Sequence, residues 1–166
     1  MKIKLMMAMT MDGKIARSSE HFPDWTSKED KQLFARISKE AGVVIMGEKT
    51  FQTFPSPLPE RLNVVFSMKE NPEEIQGVRW VKGEPEKVLE ELEKEGYSEA
   101  LLGGGAFLNG LFAQKKLIDE IIVTLEPKIF GAGLSLFDRE LDMELRLKSV
   151  EKINENSVVL RYEVLK

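Results

Sequence analysis

The segment WTSKEDKQLFARI, residues Trp25–Ile37, decides how the first helix of the chain meets its sheet. Thr26 and Ser27 are residue types that cap helix N-termini, so we expect a helix to begin here. Glu29 and Asp30 then fall in the first turn, where the helix dipole favours negative charge. The apolar residues of the segment recur at helical spacing and share one face. They are Leu33, Phe34 and Ile37.

Asp30 lies on that same apolar face, three residues before Leu33 and four before Phe34. A carboxylate along an apolar stripe is costly to bury unless a partner pairs with it. Two interpretations are open. Asp30 either stabilises the positive end of the helix from a solvated position, or it is a buried residue of a functional site.

Composition limits the classes of protein that this chain fits. With 166 residues, it is expected to form a single domain, 1–166, large enough to bury a core. The 42% of hydrophobic residues predict a globular protein, and no apolar run is long enough to cross a membrane. We interpret the start, MKIKLMMAMTM, as a buried first strand of a cytoplasmic protein and not as a signal peptide.

Charge and ligand chemistry narrow the partners further. The net charge of −4 argues against nucleic acid as a partner. The chain has no cysteine and a single histidine, His21, so we expect no metal site and no disulfide. The sequence therefore favours a small-molecule substrate.

Apolar segments of strand length alternate with amphipathic segments along the chain, which indicates an α/β fold with a mostly parallel central sheet and helices on both faces. The predicted strands are Ile3–Met9, Val43–Met46, Leu62–Phe66, Val78–Val81, Ala100–Leu102 and Glu120–Leu125. Helices are predicted over Glu48–Phe54, Pro85–Gly96 and Ala106–Gln114. The alternation in Glu144–Lys152 and Ser157–Leu165 predicts an antiparallel C-terminal hairpin, and the polar stretch Thr10–Asp24 predicts a long loop.

In such a sheet, ligands bind beyond the carboxyl ends of the strands. These ends fall at Thr10, Gly47, Ser67 and Gly103–Gly105. The triple glycine before a helix is either an ordinary turn or a cradle in which helix N-terminal amides bind phosphate. It does not have the GxGxxG spacing of the dinucleotide fingerprint.

Six segments, taken in order and spacing, resemble the dihydrofolate reductases, whose superfamily also contains the reductase domain of riboflavin biosynthesis. They are AMTMDGKIA (8–16), DWTSKEDKQLF (24–34), VVIMGEKTF (43–51), PLPERLNVVFS (57–67), LLGGGAFLNGLF (101–112) and DEIIVTLEPKIFGAG (119–133). The resemblance covers nearly the whole chain. It implies a three-layer fold of the dihydrofolate reductase type.

The resemblance implies a role for four residues around the substrate. Asp30 matches the buried carboxylate that holds the pterin ring and promotes its protonation, and Thr124 matches the threonine that hydrogen-bonds this carboxylate. Phe34 would pack on the aromatic portion of the substrate. Arg61 matches the arginine that binds the glutamate carboxylate of the substrate, although from the sequence alone it could equally be a solvated surface residue.

The resemblance also implies a cofactor site for NADPH. Ala8, Ile15 and Gly103–Gly105 match positions that line the nicotinamide and its diphosphate, and Ala8 would touch the substrate as well. The first Gly-Gly bond of the triple glycine is typically cis in the family. The remaining cofactor residues implied are Gly47, Lys49, Thr50 and Ser67. Lys14 and Trp25 match a loop that closes over the site, Trp25 among the catalytic groups; otherwise Lys14 is solvated and Trp25 is a core aromatic.

Two positions depart from the family pattern. Glu48 stands where an arginine usually binds the extra phosphate of NADPH, and a carboxylate there would repel that phosphate. Ala106 follows the triple glycine, where a basic residue is common. Lys49 and Lys69 could bind the phosphate instead, so we expect NADPH and keep NADH open.

The function implied is the NADPH-dependent reduction of 7,8-dihydrofolate to tetrahydrofolate. The start of the chain and the Trp-Thr-Ser run are also similar to the riboflavin-pathway reductases, which reduce a ribosylaminopyrimidine phosphate. That activity, reduction of another substrate, and a non-catalytic nucleotide-binding module remain the alternatives. Apolar strand ends such as Val158–Leu160 leave a homodimer open.

Overall fold

The computed structural model describes all residues, 1–166, and is built around one large sheet. Its strands in chain order are β1 (Lys2–Thr10), β3 (Val43–Gly47), β4 (Leu62–Phe66), β5 (Val78–Val81), β6 (Glu99–Leu102), β7 (Glu120–Glu126), β9 (Leu145–Lys152) and β10 (Val158–Val164). They lie in the order β5-β4-β3-β6-β1-β7-β10-β9. A second sheet holds only β2 (Lys14–Ala16) and β8 (Leu134–Ser135).

The six strands from β5 to β7 are parallel, and the C-terminal hairpin β9–β10 joins β7 in antiparallel fashion. The predicted α/β class, the mostly parallel sheet and the antiparallel hairpin are therefore confirmed. β1 lies in the middle of this order, paired with β6 on one side and β7 on the other. Its adjacent residues Leu5 and Met6, which point to opposite faces of the sheet, are both buried, and the strand is apolar from Leu5 to Met9.

Four helices cover the sheet: α1 (Lys28–Ala41), α2 (Glu48–Phe51), α3 (Pro85–Lys94) and α4 (Ala106–Gln114). On one face, Leu33 and Ile37 of α1 pack with Met6 of β1. On the other face, Leu92 of α3 and Phe112 of α4 belong to the cluster that contains Ile3 and Leu5. Helices therefore lie on both faces, as predicted. None of the four combines the length and the apolar character that a membrane span requires.

The N-terminus of α1 is fixed by the capping residue that the sequence predicts. The side chain of Ser27 accepts a hydrogen bond from the amide of Asp30 at 3.2 Å. At the other end, Gly42 adopts a φ of +75°, and its amide binds the carbonyl of Lys39. The helix thus runs from Lys28 to Ala41, and Glu29 and Asp30 occupy its first turn.

Two local predictions need correction. The stretch Thr10–Asp24 is not wholly a loop, because Lys14–Ala16 forms β2 and pairs with Leu134–Ser135. Glycine is required in this pairing, since a Cβ on Gly133, whose φ is +146°, would lie 2.3 Å from the carbonyl oxygen of Ala16. The helix predicted to reach Phe54 ends at Phe51, and two tight turns follow it.

Asp12 joins the turn after β1 to the segment that leads into β8. Its carboxylate accepts hydrogen bonds from the hydroxyl of Thr10 at 2.6 Å and from the amides of Phe130 at 3.2 Å and Gly131 at 2.7 Å. These bonds, with Thr10 the largest contributor, lower the pKa of Asp12 to about 2. Asp12 therefore holds two loops together through its ionised form.

We predict that this contact survives mild acid. Because the pKa of Asp12 is lowered from 3.8 to about 2, its stabilising effect is complete above 3.8 and is lost as pH falls through about 2. The amide resonances of Phe130 and Gly131, followed by NMR against pH, should therefore move near pH 2. In Asp12→Ala these amides should exchange faster with solvent, whereas Asp24→Ala should leave them unchanged. Unaltered exchange in Asp12→Ala would contradict this assignment.

Candidate active site

Asp30 is buried on the face of α1 that packs against the sheet. Asp30 is 7% exposed, and its Oδ1 atom has no hydrogen-bond partner within the protein. The interpretation of Asp30 as a solvated dipole-stabilising residue is therefore wrong. A buried carboxylate oxygen without a partner is costly, and a ligand that supplied hydrogen-bond donors would offset that cost.

Two polar residues of β7 lie on the sheet opposite Asp30. Thr124 is fully buried, and Glu126 follows it on the same face of the strand. Burial raises the pKa of Asp30; the nearby Thr124 hydroxyl opposes this rise, and the negative charge of Glu126 adds to it. Neither the Thr124 hydroxyl nor Asp30 Oδ1 has a hydrogen-bond partner, so the expected hydrogen bond between them is not formed.

Trp25 closes one side of the site, just before α1. Its ring meets the ring of Phe130 edge to face, with the ring centroids 5.0 Å apart. The guanidinium of Arg17 lies 4.1 Å from the centroid of the same Phe130 ring. The indole Nε1 of Trp25 is buried without a partner, so it is a second polar group that a ligand or water could satisfy.

Phe34 lies one turn beyond Asp30 and faces the triple glycine. Its ring stacks on the ring of Phe54 with the centroids 6.2 Å apart. A Cβ on Gly103 would lie 3.2 Å from the Phe34 ring, which shows how closely this ring approaches the end of β6. The structure therefore places Phe34 between the carboxylate and the glycines, where an aromatic ligand ring could stack.

Arg61 is hydrogen-bonded to the same helix. Its Nη1 donates to the carbonyl of Ala35 at 2.9 Å and to the hydroxyl of Ser38, and its Nε donates to the carbonyl of Pro59 at 2.8 Å. These bonds fix the guanidinium beside α1. Arg61 is thus not a freely solvated residue, and its Nη2 makes no hydrogen bond to the protein.

The glycines at the ends of β3 and β6 meet directly. The amide of Gly47 donates to the carbonyl of Gly104 at 2.9 Å, and a Cβ on Gly105 would lie 3.6 Å from the hydroxyl of Thr50. The cis bond of the triple glycine joins Gly104 to Gly105, one position later than expected. Gly103 still continues the pairing of β6 with β3, because its amide donates to the carbonyl of Ile45 at 2.8 Å.

Gly105 is also the N-cap of α4, and no side chain caps this helix. The amides of the first turn are therefore free to bind an anion, because helix N-termini carry a partial positive charge. The bare backbone of the glycines and the uncapped helix together fit a dinucleotide diphosphate. Gly47, Thr50, Gly104 and Gly105 are the residues that would hold it.

The expected cations of the cofactor site are paired with carboxylates. Lys69 forms an ion pair with Glu48, and the hydroxyl of Ser67 donates to the second oxygen of Glu48 at 2.7 Å. Lys69 and then Ser67 lower the pKa of Glu48. Lys49 pairs with Glu20 at 3.0 Å. A phosphate here would meet a neutralised carboxylate and not a pair of free lysines.

The other predicted residues lie around the carboxyl end of β1. Ala8 pairs in register with Thr124, which brings it beside the polar face of β7. Ile15 lies in β2, and Lys14 reaches Ser135 of β8 at 3.4 Å. Lys14 and Ile15 therefore belong to the two-stranded sheet that β2 forms with β8.

A cavity of 350 Å³ opens next to Trp25 and reaches Glu126. A larger one, of 760 Å³, lies at the opposite edge of the sheet, where charged side chains such as Asp119 and Lys166 already pair with one another. No group of three or more metal-ligating side chains occurs in the structure. Of these two cavities, the one beside Trp25 adjoins the buried carboxylate of Glu126.

Glu126 is the site residue that sequence reasoning missed. It is 3% exposed and accepts hydrogen bonds from the amide of Ser27 and the hydroxyl of Ser157, each at 2.7 Å. The available signal was its position two residues after Thr124, which places both side chains on one face of a buried strand. Phe130, which packs on Trp25, was missed because no local sequence pattern marks it as a site residue.

A buried carboxylate, an aromatic ring and a glycine cradle thus belong to α1 and to the ends of neighbouring strands. The sequence matches the family model described as the RibD C-terminal domain over residues 1–159. The chain belongs to that family, within the superfamily of the dihydrofolate reductases. The resemblance noted in the sequence is thereby confirmed at the level of the superfamily.

Some individual relatives are named as dihydrofolate reductases and others as riboflavin biosynthesis proteins. A Caenorhabditis elegans protein assigned provisionally to the dihydrofolate reductases is 27% identical over 99% of this chain and 93% of its own length. The riboflavin biosynthesis protein RibD of Aquifex aeolicus is 28% identical over 95% of this chain, which corresponds to 56% of that protein. The chain thus spans about half of RibD.

Among solved structures, a Thermotoga maritima deaminase/5-amino-6-(5-phosphoribosylamino)uracil reductase superposes with a TM-score of 0.79 at 17% identity. The alignment covers 99% of this chain and 56% of that one. At this identity the similarity establishes the fold.

The burial of Asp30 predicts a pH dependence of folding. The pKa of Asp30 is raised above 3.8 in the folded protein, so Asp30 ionises at a lower pH in the unfolded chain than in the folded one. The free energy of unfolding therefore falls as pH rises from 3.8 to the raised pKa. Asp30→Asn should remove this decline and should unfold at a higher temperature than the parent at neutral pH. Thermal unfolding against pH measures it, with Asp24→Asn as the exposed control. Identical profiles for Asp30→Asn and the parent would refute the burial penalty.

Proposed function

We propose that this protein reduces the pterin ring of 7,8-dihydrofolate to tetrahydrofolate, with NADPH as the hydride donor. The observation that carries the proposal is the buried Asp30 carboxylate, whose Oδ1 has no partner in the protein. Such a group is retained at a cost of about 1–3 kcal/mol unless a ligand satisfies it.

The chemistry of the two candidate rings favours the pterin. A pterin presents a ring N–H and an adjacent amino group, two donors side by side, and a carboxylate accepts both in a bidentate pair. The ribosylaminouracil has one edge with an N–H between two carbonyl oxygens, where a carboxylate would meet at least one acceptor. Its adjacent donors, such as ring N1–H and the ribosylamino N–H, lie on the side that carries the ribosyl phosphate.

The remaining groups would orient the ring and exclude water. Phe34 offers a stacking face one helical turn from Asp30. Arg61, already held against α1, has its Nη2 free for the carboxylate of the glutamate tail. Trp25 presents an unpartnered N–H at the loop side. Ala8 supports the ring from β1.

The raised pKa of Asp30 has a direct use in this reaction. A reduced nicotinamide supplies a hydride when bound. Asp30, through its proton or through an intervening water, favours protonation of the neighbouring ring nitrogen. A carboxyl group whose pKa is moved toward the working pH is an effective participant in such a transfer.

Cofactor binding would use the free amides at the start of α4 and the bare glycine backbone. Glu48, Ser67 and Lys69 would lie toward the ribose that distinguishes NADPH from NADH. With NADPH, Lys69 would break its ion pair with Glu48 and bind the phosphate. With NADH, Glu48 itself could accept a hydrogen bond from the ribose hydroxyl.

The second candidate is reduction of the ribosylaminopyrimidine phosphate of riboflavin biosynthesis. The family model and the name of the Aquifex aeolicus relative support it. It is distinguished from the first candidate by the ring edge that Asp30 must bind.

The test is consumption of reduced nicotinamide with purified protein. Dihydrofolate and 5-amino-6-ribosylaminouracil phosphate would be supplied in parallel, each with NADPH and with NADH. Turnover with dihydrofolate supports the proposal. Turnover with the uracil alone assigns the riboflavin-pathway activity, and turnover with neither, despite cofactor binding, rejects both.

We predict that Asp30→Asn lowers kcat for dihydrofolate by about a hundredfold or more, because it removes the group that promotes protonation. The dissociation constant for NADPH should stay near that of the parent, since Asp30 does not belong to the cofactor cradle. Stopped-flow hydride transfer and fluorescence titration measure the two effects. Unchanged kcat would remove Asp30 from the mechanism.

A second substitution examines the cofactor. Glu48→Arg should tighten NADPH relative to NADH by on the order of tenfold, the effect of one charge-assisted hydrogen bond to a phosphate. Glu70→Arg makes the same change of charge at an exposed residue that pairs with Lys82 at 2.6 Å, and it should leave the ratio unchanged. Equal ratios for both variants would show that residue 48 does not contact the phosphate.

A further inference from the structure

Glu126 is a buried carboxylate without a cation. Its Oε1 accepts the amide of Ser27 and its Oε2 accepts the hydroxyl of Ser157, both at 2.7 Å. These donors are neutral, and Glu126 takes part in no ion pair. A carboxylate at the end of a strand can normally stay in solvent. The burial of Glu126, at 3% exposure, therefore requires an explanation.

The hydrogen bonds of Glu126 lead to Asp30. Ser27, whose amide Glu126 holds, is the N-cap of α1, and its hydroxyl accepts the amide of Asp30 at 3.2 Å. Two hydrogen bonds therefore connect the end of β7 to the backbone of Asp30. Glu126 also shares its face of β7 with Thr124, the other residue that lies against the Asp30 carboxyl.

We propose that Glu126 is a positioning residue for Asp30, which fixes the first turn of α1 on the sheet and sets a second buried negative charge against the Asp30 carboxyl. The catalytic part of this proposal rests on the proposed function. The placement and charge effect concern the free protein alone.

The other groups around Asp30 do not supply this effect. Thr124 and Thr26 offer hydroxyl groups that favour the anion, and Lys31, on α1, is the one cation that acts on it. Met6 and Leu101, which pack under α1 from β1 and β6, are apolar. Glu126 is thus the neighbouring charge that raises the pKa of Asp30, acting in the same direction as burial.

Further charges line the cavity beside Glu126. Glu29 belongs to α1, Lys128 follows β7 and Glu155 lies in the β9–β10 turn. Glu29 accepts a hydrogen bond from the side-chain amide of Asn154 at 3.2 Å and makes no hydrogen bond to Asp30. It is therefore a matched control: a carboxylate in the same cavity, one residue from Asp30, with no bond to Ser27.

The test follows the carboxyl resonance of Asp30 by carbon NMR against pH in the ligand-free protein, with the resonance assigned through Asp30→Asn. Glu126→Gln keeps an acceptor for Ser27 and removes the charge. We expect its Asp30 titration to shift to lower pH, and Glu29→Gln to leave it in place. Glu126→Asp retains the charge and should keep the titration near that of the parent while the amide of Ser27 exchanges faster. Thermal unfolding confirms that each variant is folded.

A titration of Asp30 that does not move in folded Glu126→Gln, or that moves equally in Glu29→Gln, would overturn the proposal. If Glu126→Gln does not fold, Glu126→Asp alone decides, since unchanged exchange of Ser27 there would also overturn it. Where dihydrofolate turnover is measured, the high-pH limb of kcat should shift with the NMR titration. Because the NMR experiment needs no substrate, its outcome is separate from the success or failure of the reductase assignment.

Discussion

A carboxylate with one unsatisfied oxygen, buried between a helix and a sheet, is the constraint on which the site depends. Asp30 has to be on the inner face of α1, because Leu33 and Ile37 of that face pack against the sheet. Burial then raises the pKa of Asp30, and the fold leaves Oδ1 without a hydrogen-bond partner. The stability given up at this position is what makes the group available to a ligand.

The topology of the sheet brings the rest of the chemistry to this carboxylate. Strand β1 lies between β6 and β7, so the glycines that end β6 and the polar residues that end β7 flank one strand. Phe34 spans the gap from α1 to Gly103. One parallel sheet thus supplies a polar pocket on one side of β1 and a bare backbone cradle on the other. This division matches the separate needs of a ring to be reduced and a dinucleotide.

Much of the fold was predictable because it rests on local patterns. The bounds of β4, β5 and α4 agree with the prediction, and the helix cap at Ser27 follows from its residue type. The pairing of β2 with β8 was not predictable, since two short segments far apart in sequence define it. In the site, the position of Asp30 on an apolar face was a usable signal. The bonds of Arg61 to α1 and the pairing of Glu48 with Lys69 depend on tertiary contacts that no spacing reveals.

The central claim is that Asp30 binds the donor edge of an aminopyrimidine ring. The most direct measurement is the ultraviolet difference spectrum of a 2,4-diaminopteridine bound to the protein, since such a ring changes its spectrum when it is protonated. We expect a protonated spectrum with the parent and a neutral one, with weaker binding, for Asp30→Asn. A neutral spectrum with the parent, or equal binding by both proteins, would contradict it.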